Sequence, residues 1–157
     1  IIFTNKEIIN IHTVIDKSIK SVDLLLKNSN GSIVRDYSDN LPEILAAKSE
    51  MVNVFVNILE NSIKYSMNNP SINIKTYLKN KNIVVSITDK GIGMSKNVKS
   101  KIFDNFYRET KGDIHNVKGH GLGLSYVKKI IDLHGGMISV ISEVEKGTTF
   151  NISLNVN

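Results

Sequence analysis

The chain has 157 residues with 41% hydrophobic content, which favours one soluble domain, and its net charge of +5 comes from scattered lysines that do not indicate nucleic-acid binding. It contains no cysteine, which excludes a disulfide framework and a thiolate metal site. No apolar run approaches the roughly 20 residues of a membrane-spanning helix, so we expect no membrane contact by this part of the protein.

The first third of the chain predicts one helix and two short strands. Apolar residues recur at helical spacing at Ile15, Ile19, Val22 and Leu26, and the helix is expected to end at the turn residues 28–31. The segments Ile33–Tyr37 and Glu43–Ala46 read as strands around a turn at Asp39–Pro42.

A second helix is predicted from about Ser49 to Met67, and it carries a polar stripe. The stripe residues stand at i, i+4, i+8 and i+11, and they are Asn53, Asn57, Asn61 and Lys64. Apolar residues flank the stripe on both sides, which suits a helix that lines a polar cavity. A solvated helix face is the alternative, although such faces favour Glu, Lys and Gln over Asn, a poor helix former.

The middle of the chain predicts a hairpin followed by a long irregular segment. Residues alternate over Ile72–Leu78 and Ile83–Ile87 on either side of a turn. From Lys90 to His120 the periodicity is lost, and a connection of this length in a compact domain indicates a functional lid or a disordered segment.

The last third predicts a third helix that ends at His134 before Gly135-Gly136, and two strands at Ile138–Ser142 and Thr148–Leu154. The order of elements predicts an α/β fold, a two-layer sandwich with three helices on one face of a mixed, mostly antiparallel sheet.

Two glycine-containing segments could contact a ligand. Asp89 ends a strand and is followed by Gly91 and Gly93, so its carboxylate could accept a hydrogen bond from an exocyclic amine such as adenine N6. A simple hairpin turn is the alternative. The second segment has the sequence GHGLGL and opens the third helix, where free N–H groups favour an anion; it comprises Gly119, His120, Gly121, Leu122 and Gly123.

The stripe asparagines suit magnesium chemistry. Mg²⁺ prefers oxygen ligands and keeps several waters while it is bound to phosphates. An Asn carbonyl supplies a neutral oxygen, so it can hold Mg²⁺ without repelling a triphosphate. Lys64, one turn further along, can meet the phosphates as a point charge.

Five segments together resemble the motifs of sensor histidine kinases. The segment 57–66 (NILENSIKYS) is similar to the N box, 89–94 (DKGIGM) to the G1 box and 102–108 (IFDNFYR) to the F box. The segment 119–124 is similar to the G2 box, and 147–150 (GTTF) to the last glycine box. The motifs occur in the family's order and cover essentially the whole chain.

The resemblance implies the Bergerat ATP-binding fold, in one domain over residues 1–157 with an ATP lid at about 91–120. By similarity, ATP and Mg²⁺ are the cofactors, and Asn61 is the metal ligand. The other nucleotide-binding residues that the resemblance implies are Asn57, Lys64, Tyr65, Asp89, Gly91, Gly93, Arg108, Gly119, His120, Gly121, Leu122, Gly123 and Thr148. Arg108 is expected to reach the terminal phosphate, and Thr148 to help fix Asp89 through water.

The implied function is transfer of the γ-phosphoryl group of ATP to a histidine on a separate dimerisation domain of the same protein, and from there to a response regulator. The chain begins at Ile1, so we expect a cytoplasmic catalytic part of a longer, membrane-bound sensor that carries the acceptor histidine upstream. His12 lacks a following acidic residue and is expected to be a nonreactive residue at a helix start.

Two other functions stay open from the sequence. An ATP-hydrolysing enzyme of the same fold needs a general base where the neutral Asn57 stands. A non-enzymatic nucleotide-sensing module would keep the pocket without phosphoryl transfer. The chain departs from the family pattern at Ala47, where a weaker helix cap is expected, and at Lys90 and Glu145.

Overall fold

The computed structural model describes residues 5–66, 68–104 and 123–156, which form a layer of helices against a five-stranded sheet. In chain order the elements are β1 (Glu7–Ile9), α1 (Ile11–Ser21), α2 (Asp23–Asn28), β2 (Ser32–Tyr37), β3 (Ile44–Ala46), α3 (Lys48–Lys64), β4 (Ser71–Lys79), β5 (Asn82–Asp89), α4 (Lys96–Lys99), α5 (Gly123–Leu133), β6 (Met137–Glu143) and β7 (Gly147–Asn155).

The main sheet has the strand order β2-β4-β5-β7-β6, and β2 with β4 is its parallel pair. The predicted hairpin is confirmed as β4 and β5. Asn80 and Lys81 form its two-residue turn with φ values of 49° and 64°, the left-handed conformation that type I′ turns need at both positions. This register places Asp89 opposite Ile72 on one side and Thr148 on the other.

The helices α1, α3 and α5 pack side by side, with α3 in the middle. Because α3 contacts both neighbours and the sheet, it has apolar side chains around most of its circumference, and Met51, Phe55, Ile58 and Leu59 are fully buried. Truncating a buried aromatic such as Phe55 to alanine typically costs about 3–5 kcal/mol. The predicted two-layer α/β sandwich is therefore confirmed, and α3 is positioned firmly by its own core contacts.

The prediction of one continuous first helix is wrong. The helix ends at Ser21 and a second one begins at Asp23, because the N–H of Val22 donates to Ile19 O, three residues back, and tightens the chain into a turn. Val22 and Leu26 nevertheless remain in the core, which explains why their spacing looked helical throughout.

The strand at Ile44–Ala46 does not pair with β2. It pairs antiparallel with β1, an element that the sequence analysis missed, in a separate two-stranded sheet. Three residues are too few for a periodic signal, so β1 could not be distinguished from irregular chain.

His12 lies at the start of α1, as expected. Asn10 caps this helix, and its side chain accepts from the backbone N–H of His12 at 2.9 Å. The imidazole stacks on the Tyr37 ring, and its Nε2 lies 2.8 Å from Thr76 Oγ1. Burial lowers its pKa, although Asp16 and Asp39 act in the opposite direction.

Among the residues that the structure describes, no helix has both the length and the apolar character needed to cross a bilayer.

Candidate nucleotide-binding site

The asparagine stripe lies on α3, and hydrogen bonds to the helix backbone orient two of its amides. Asn57 Nδ2 donates to Asn53 O at 2.7 Å, and Asn61 Nδ2 donates to Asn57 O at 2.9 Å. Asn57 is buried, whereas Asn61 and Lys64 are half-buried. Since the nitrogen of each amide faces the carbonyl one turn back, its oxygen faces away from the helix backbone. This orientation makes the amide oxygens available as neutral ligands.

Asp89 is a nearly buried carboxylate at the end of β5, with 7% of the residue exposed. Its Oδ1 accepts a hydrogen bond from the N–H of Gly91 at 2.8 Å. Burial raises the pKa of the carboxyl, while hydrogen bonds from the Gly91 backbone, the Ser62 side chain and the Thr148 backbone act in the opposite direction. An ionised carboxylate in such a buried place is a strong hydrogen-bond acceptor, as recognition of an amine requires.

The turn after Asp89 is held against the end of α3. The N–H of Ile92 donates to Tyr65 O at 3.0 Å, and a Cβ on Gly91 would lie 2.6 Å from the same oxygen. Only glycine permits this close approach of the two backbones. The structure therefore brings Tyr65, Gly91 and Asp89 together, as the sequence analysis expected.

The same turn is packed on its other side by the β6–β7 connection. Gly93 has a φ of +70°, and a Cβ there would lie 1.8 Å from Glu143 O. Gly147 has a φ of +90°, and its Cβ would lie 2.1 Å from Asp89 O. Glu145, one of the departures noted in the sequence, also has a positive φ of 67° and donates its N–H to Ile92 O. Two glycine turns thus fix the backbone on both sides of Asp89.

Ser142 joins the loop and the sheet, and the sequence analysis missed it. Its Oγ accepts from Met94 N–H at 2.8 Å and donates to Gly147 O at 2.8 Å. It also lies 2.8 Å from Thr148 Oγ1, and because its one proton goes to Gly147, Thr148 is the donor in that pair. Lys99 Nζ donates to the Ser142 carbonyl at 2.9 Å. A single serine within a strand gives no motif, so only the tertiary structure reveals this role.

The phosphate end of the predicted site is described only in part. Gly123 is the first residue of α5, with a φ of +70° and open space around the position of a Cβ. This confirms that a helix begins directly at the glycine-rich segment. The remaining residues of that end lie outside the described residues: Arg108, Gly119, His120, Gly121 and Leu122.

A cavity of about 190 Å³ opens at the ends of β5, β6 and β7, beside Asp89. Its described lining comes from these strands and their turn, and includes Thr88, Ser142, Lys146 and Thr149. Since α3 does not contribute to this described lining, the cavity is distinct from the space between α3 and the Asp89 turn. We therefore place the candidate nucleotide site on the α3 side.

The amide oxygens on α3 suit a magnesium ion that is bound to phosphates better than a metal ion that is held by protein ligands alone. Within residues 5–66, 68–104 and 123–156, no three His, Asp or Glu side chains group together as ligands. Mg²⁺ commonly takes one or two protein oxygens and completes its octahedron with water and phosphate. The half-buried Asn61 amide, with its nitrogen bound to the helix, offers one such oxygen.

Comparison with known proteins identifies the family of the chain. The profile of the family described as "Histidine kinase-, DNA gyrase B-, and HSP90-like ATPase" matches residues 46–157, and the chain belongs to that family. Among individual proteins, it is 39% identical over 87% of its length to sensor protein RprX of Bacteroides fragilis. It is 45% identical over 73% of its length to the signal transduction histidine-protein kinase ArlS of Staphylococcus aureus. The chain spans only about a quarter of these relatives, 27% and 25% of their lengths.

Solved structures share the fold. The catalytic domain of histidine kinase ThkA superposes with a TM-score of 0.83 at 24% identity, over 97% of this chain and 96% of that one. ThkA in complex with the response regulator protein TrrA superposes with a TM-score of 0.79 at 22% identity, over 97% of this chain and 42% of that one. These matches confirm the fold class that the sequence motifs implied.

Proposed function

We propose that residues 1–157 form the catalytic domain of a sensor histidine kinase. The domain binds Mg-ATP and donates the γ-phosphoryl group to a histidine on a separate dimerisation domain of the same protein. The observation that carries this proposal is the placement of Asp89. A buried carboxylate is fixed by Gly91 N–H, and its turn is bonded through Ile92 to the end of the helix that carries Asn57 and Asn61.

The two ends of the pocket have different tasks. Asp89 accepts from the exocyclic amine of adenine, and Gly91 and Gly93 let the backbone enclose the base beside Tyr65. On α3, Asn61 holds Mg²⁺, Asn57 supports that end and Lys64 contacts phosphate. The lid at about 91–120 contributes Arg108 to the terminal phosphate, and the segment 119–123 contributes backbone N–H groups.

Phosphoryl transfer on such a site depends on positioning and charge neutralisation. The γ-phosphorus bonds to the acceptor nitrogen of the histidine, and its bond to the β–γ bridging oxygen breaks, so ADP leaves. Asn61 would hold Mg²⁺, which would supply positive charge that offsets the negative charge of the phosphates. Lys64 balances the charge that develops on the leaving ADP, and the fixed Asp89 prevents the base from sliding while the terminal phosphate is presented.

A response regulator is the proposed second partner. The TrrA complex with ThkA supports this choice, because that kinase has the same fold. We propose a cytoplasmic position for the domain, since response regulators are reached from that side, and the named relatives are sensor proteins.

Direct ATP hydrolysis is disfavoured by position 57. The Asn57 amide is neutral, and its nitrogen donates to Asn53 O, so it cannot remove a proton from water. Glu60 is the carboxylate next to Asn61, and Glu60→Gln tests it as a substitute base. Unchanged slow hydrolysis in this variant removes Glu60 as a base.

The experiment that tests the proposed kinase function adds a separately produced helical-hairpin domain carrying the acceptor histidine, together with Mg-ATP labelled at the γ-phosphate. We expect label on the hairpin that is stable to alkali and lost in acid, as phosphohistidine is. Tight ATP binding without any such label contradicts the kinase function and favours a nucleotide-sensing module.

A further inference from the structure

Strand β6 forms one edge of the main sheet, and part of its backbone faces away from the sheet. It pairs with β7 and is the last strand in the sheet order. The carbonyl of Ser142 accepts a hydrogen bond from Lys99 Nζ on α4, an element outside the sheet, so it points away from β7. Because the direction of the backbone groups alternates along an antiparallel strand, those of Ile138 and Val140 point the same way. Among the described residues, no backbone–backbone hydrogen bond outside the strand ladders reaches either of the two.

The sequence of β6 lacks the usual protection of an edge strand. Natural proteins commonly guard a sheet edge with lysine, proline or a bulge, because an unpaired strand can recruit a second one. The segment 137–142 (MISVIS) contains no charge and no proline, and its pairing with β7 runs without a bulge. The strand at the opposite edge, β2, carries Arg35 and Asp36. β6 is therefore the edge better suited to accept a further strand.

Two large apolar side chains of β6 project from the face of the sheet opposite the helices. Met137 is 73% exposed and Ile141 is 66% exposed. Side chains alternate between the two faces of a strand, and the intervening Ile138 and Val140 pack against the core. Ser139 lies between Met137 and Ile141 on the outer face and is also exposed. A second strand along this edge would cover the two apolar side chains and remove apolar surface from water, which is favourable.

The segment 137–141 is complementary to a second copy of itself. Its sequence, Met-Ile-Ser-Val-Ile, places two apolar residues on each side of Ser139. When two such segments pair antiparallel about Ser139, Met137 lies opposite Ile141 of the second copy on the outer face. Ile138 then lies opposite Val140 of the second copy on the helix side. Cross-strand apolar pairs of this kind stabilise a sheet.

The same register also matches the free backbone groups. Residues that lie opposite each other and point toward each other exchange two hydrogen bonds in an antiparallel pair. Ile138 and Val140 are outward-pointing residues, so pairing about Ser139 gives two such exchanges. The Ser142 carbonyl lies beyond the paired segment, and its bond to Lys99 is kept.

We propose that β6 is an interface for a second copy of this chain, in which two β6 strands pair antiparallel about a two-fold axis at Ser139. The main sheets of the two copies then form one continuous sheet. Because the paired segment 137–141 is short, the buried area is small, and we expect weak association with a Kd on the order of 0.1–1 mM. The inference goes beyond the proposed nucleotide function and does not depend on it, since it uses the outer edge of β6.

Sedimentation equilibrium without nucleotide, from about 10 μM to about 1 mM protein, tests the interface. We expect a reversible monomer–dimer equilibrium for the wild type. Ser139→Lys sets two like charges opposite each other across the axis and should raise the dimer Kd at least about tenfold. The matched control is Ser32→Lys, which adds the same charge at an exposed position of β2 and should leave the Kd within about twofold of the wild type.

Two outcomes of this measurement contradict the interface. A wild type that stays monomeric at every concentration overturns the proposal. A dimer that Ser139→Lys weakens no more than Ser32→Lys does shows that the copies associate through another surface, and this also overturns it.

Single cysteines report the register, because the chain has none of its own. Ser139 would oppose itself at a non-hydrogen-bonded position, where Cα atoms lie about 4.5 Å apart, within reach of a disulfide. We expect Ser139→Cys to form a disulfide-linked dimer under mild oxidation. Met137→Cys alone should not, whereas a mixture of Met137→Cys and Ile141→Cys should. Equally fast linkage of Met137→Cys alone and of Ser139→Cys overturns the register.

Val140→Pro tests the backbone hydrogen bonds. The N–H of Val140 points away from β7, so proline at this position removes an intermolecular donor and leaves the β6–β7 ladder intact, as edge strands tolerate. We expect the variant to keep a cooperative unfolding transition and to be monomeric up to about 1 mM. A folded Val140→Pro protein that dimerises as strongly as the wild type overturns strand pairing at β6.

Discussion

His134, directly after α5, accepts a hydrogen bond at its Nε2 from the backbone N–H of Ala47, which precedes α3, at a distance of 3.0 Å. The Nδ1–H of the same ring donates to Ile130 O at 2.8 Å, so the imidazole is neutral. The methyl side chain of Ala47 cannot accept a hydrogen bond from the first turn of α3, and the weak helix cap expected from the sequence is confirmed. The His134 imidazole therefore accepts the hydrogen bond of the Ala47 N–H from outside α3. This contact helps to hold α3, the helix that carries the asparagines, in place.

His134→Ala should therefore destabilise the protein by about 1–3 kcal/mol, because it leaves the Ala47 N–H without its acceptor. Chemical denaturation at pH 7.5 measures this loss. Asp132→Ala is the matched control, since the partner of its carboxylate among the described residues is the exposed Lys128 on the same helix, and it should cost about 0.5 kcal/mol or less. Equal effects of the two substitutions contradict the capping role.

The same contact predicts a pH dependence of stability. Burial lowers the pKa of His134 from 6.5; Lys6 acts in the same direction, while the Ile130 carbonyl and Glu50 oppose it. On acidification the unfolded chain binds a proton near pH 6.5 that the folded chain resists, so stability falls as pH drops below about 6.5 toward the lowered pKa.

Denaturation curves of the wild type and His134→Gln between pH 8 and pH 5 check this prediction. The glutamine variant should lose less stability over that range, because it has no proton to take up at this position. The contribution of His12, whose pKa is also lowered, is common to both proteins. Parallel curves contradict the assignment to His134.

Gly93→Ala should disrupt the base pocket, because the new Cβ would lie 1.8 Å from Glu143 O at a φ of +70°. Gly135 is a matched control, since its φ is +68° and nothing lies within 4 Å of its Cβ position. Gly135→Ala should cost about 1–2 kcal/mol from the backbone conformation alone. We expect Gly93→Ala to cost about 1–3 kcal/mol more and to abolish nucleotide binding. Equal destabilisation by the two substitutions contradicts the close packing of this turn.

Asp89→Asn should weaken ATP binding about tenfold to a hundredfold, the effect of losing a hydrogen bond to a buried charged group. It should also reduce the preference over GTP, because an amide can donate to guanine O6. Competition binding with both nucleotides measures the two effects. Unaltered selectivity contradicts the adenine-reading role.

The raised pKa of Asp89 adds a pH dependence to binding. Burial is its main cause, and only the ionised carboxylate accepts fully from the amine. ATP affinity should therefore fall as pH drops toward the raised pKa, and Asp89→Asn should remove this component. The titration of the nucleotide itself is common to both proteins and cancels in the comparison. Identical pH profiles contradict ionisation of Asp89 in the bound state.

Asn61→Ala should remove the Mg²⁺ dependence of ATP binding, because it deletes the proposed protein ligand. Asn53→Ala on the same helix is a control that should retain the dependence, since Asn53 is two turns away and its side chain contacts Tyr126. Titrations in Mg²⁺ and in EDTA compare the variants. Retained dependence in Asn61→Ala refutes the ligand role.

Much of this fold was predictable because its elements have strong local signals. The hairpin of β4 and β5 alternates over its full length and turns at two residues with positive φ, and α3 combines long apolar flanks with a polar stripe. The break at Val22 and the pairing of β1 with β3 were not predictable. Both depend on tertiary contacts that leave the local apolar pattern unchanged.

The candidate site also combines residues that were predictable from the sequence with residues that were not. Asn61 and Asp89 stand in recognisable motifs, and the structure places the two motifs side by side through the Ile92–Tyr65 bond. Ser142 and His134 support them from elements distant in sequence. Hydrogen bonds of this kind have no fixed spacing along the chain, so no sequence pattern could have revealed them.

The nucleotide site can be tested by calorimetric titration of this chain with a non-hydrolysable ATP analogue, with and without Mg²⁺ and with a GTP analogue as control. We expect binding that requires Mg²⁺ and prefers adenine. Absence of binding, or equal binding of both nucleotides irrespective of Mg²⁺, contradicts a magnesium-dependent adenine-nucleotide site between α3 and the Asp89 turn.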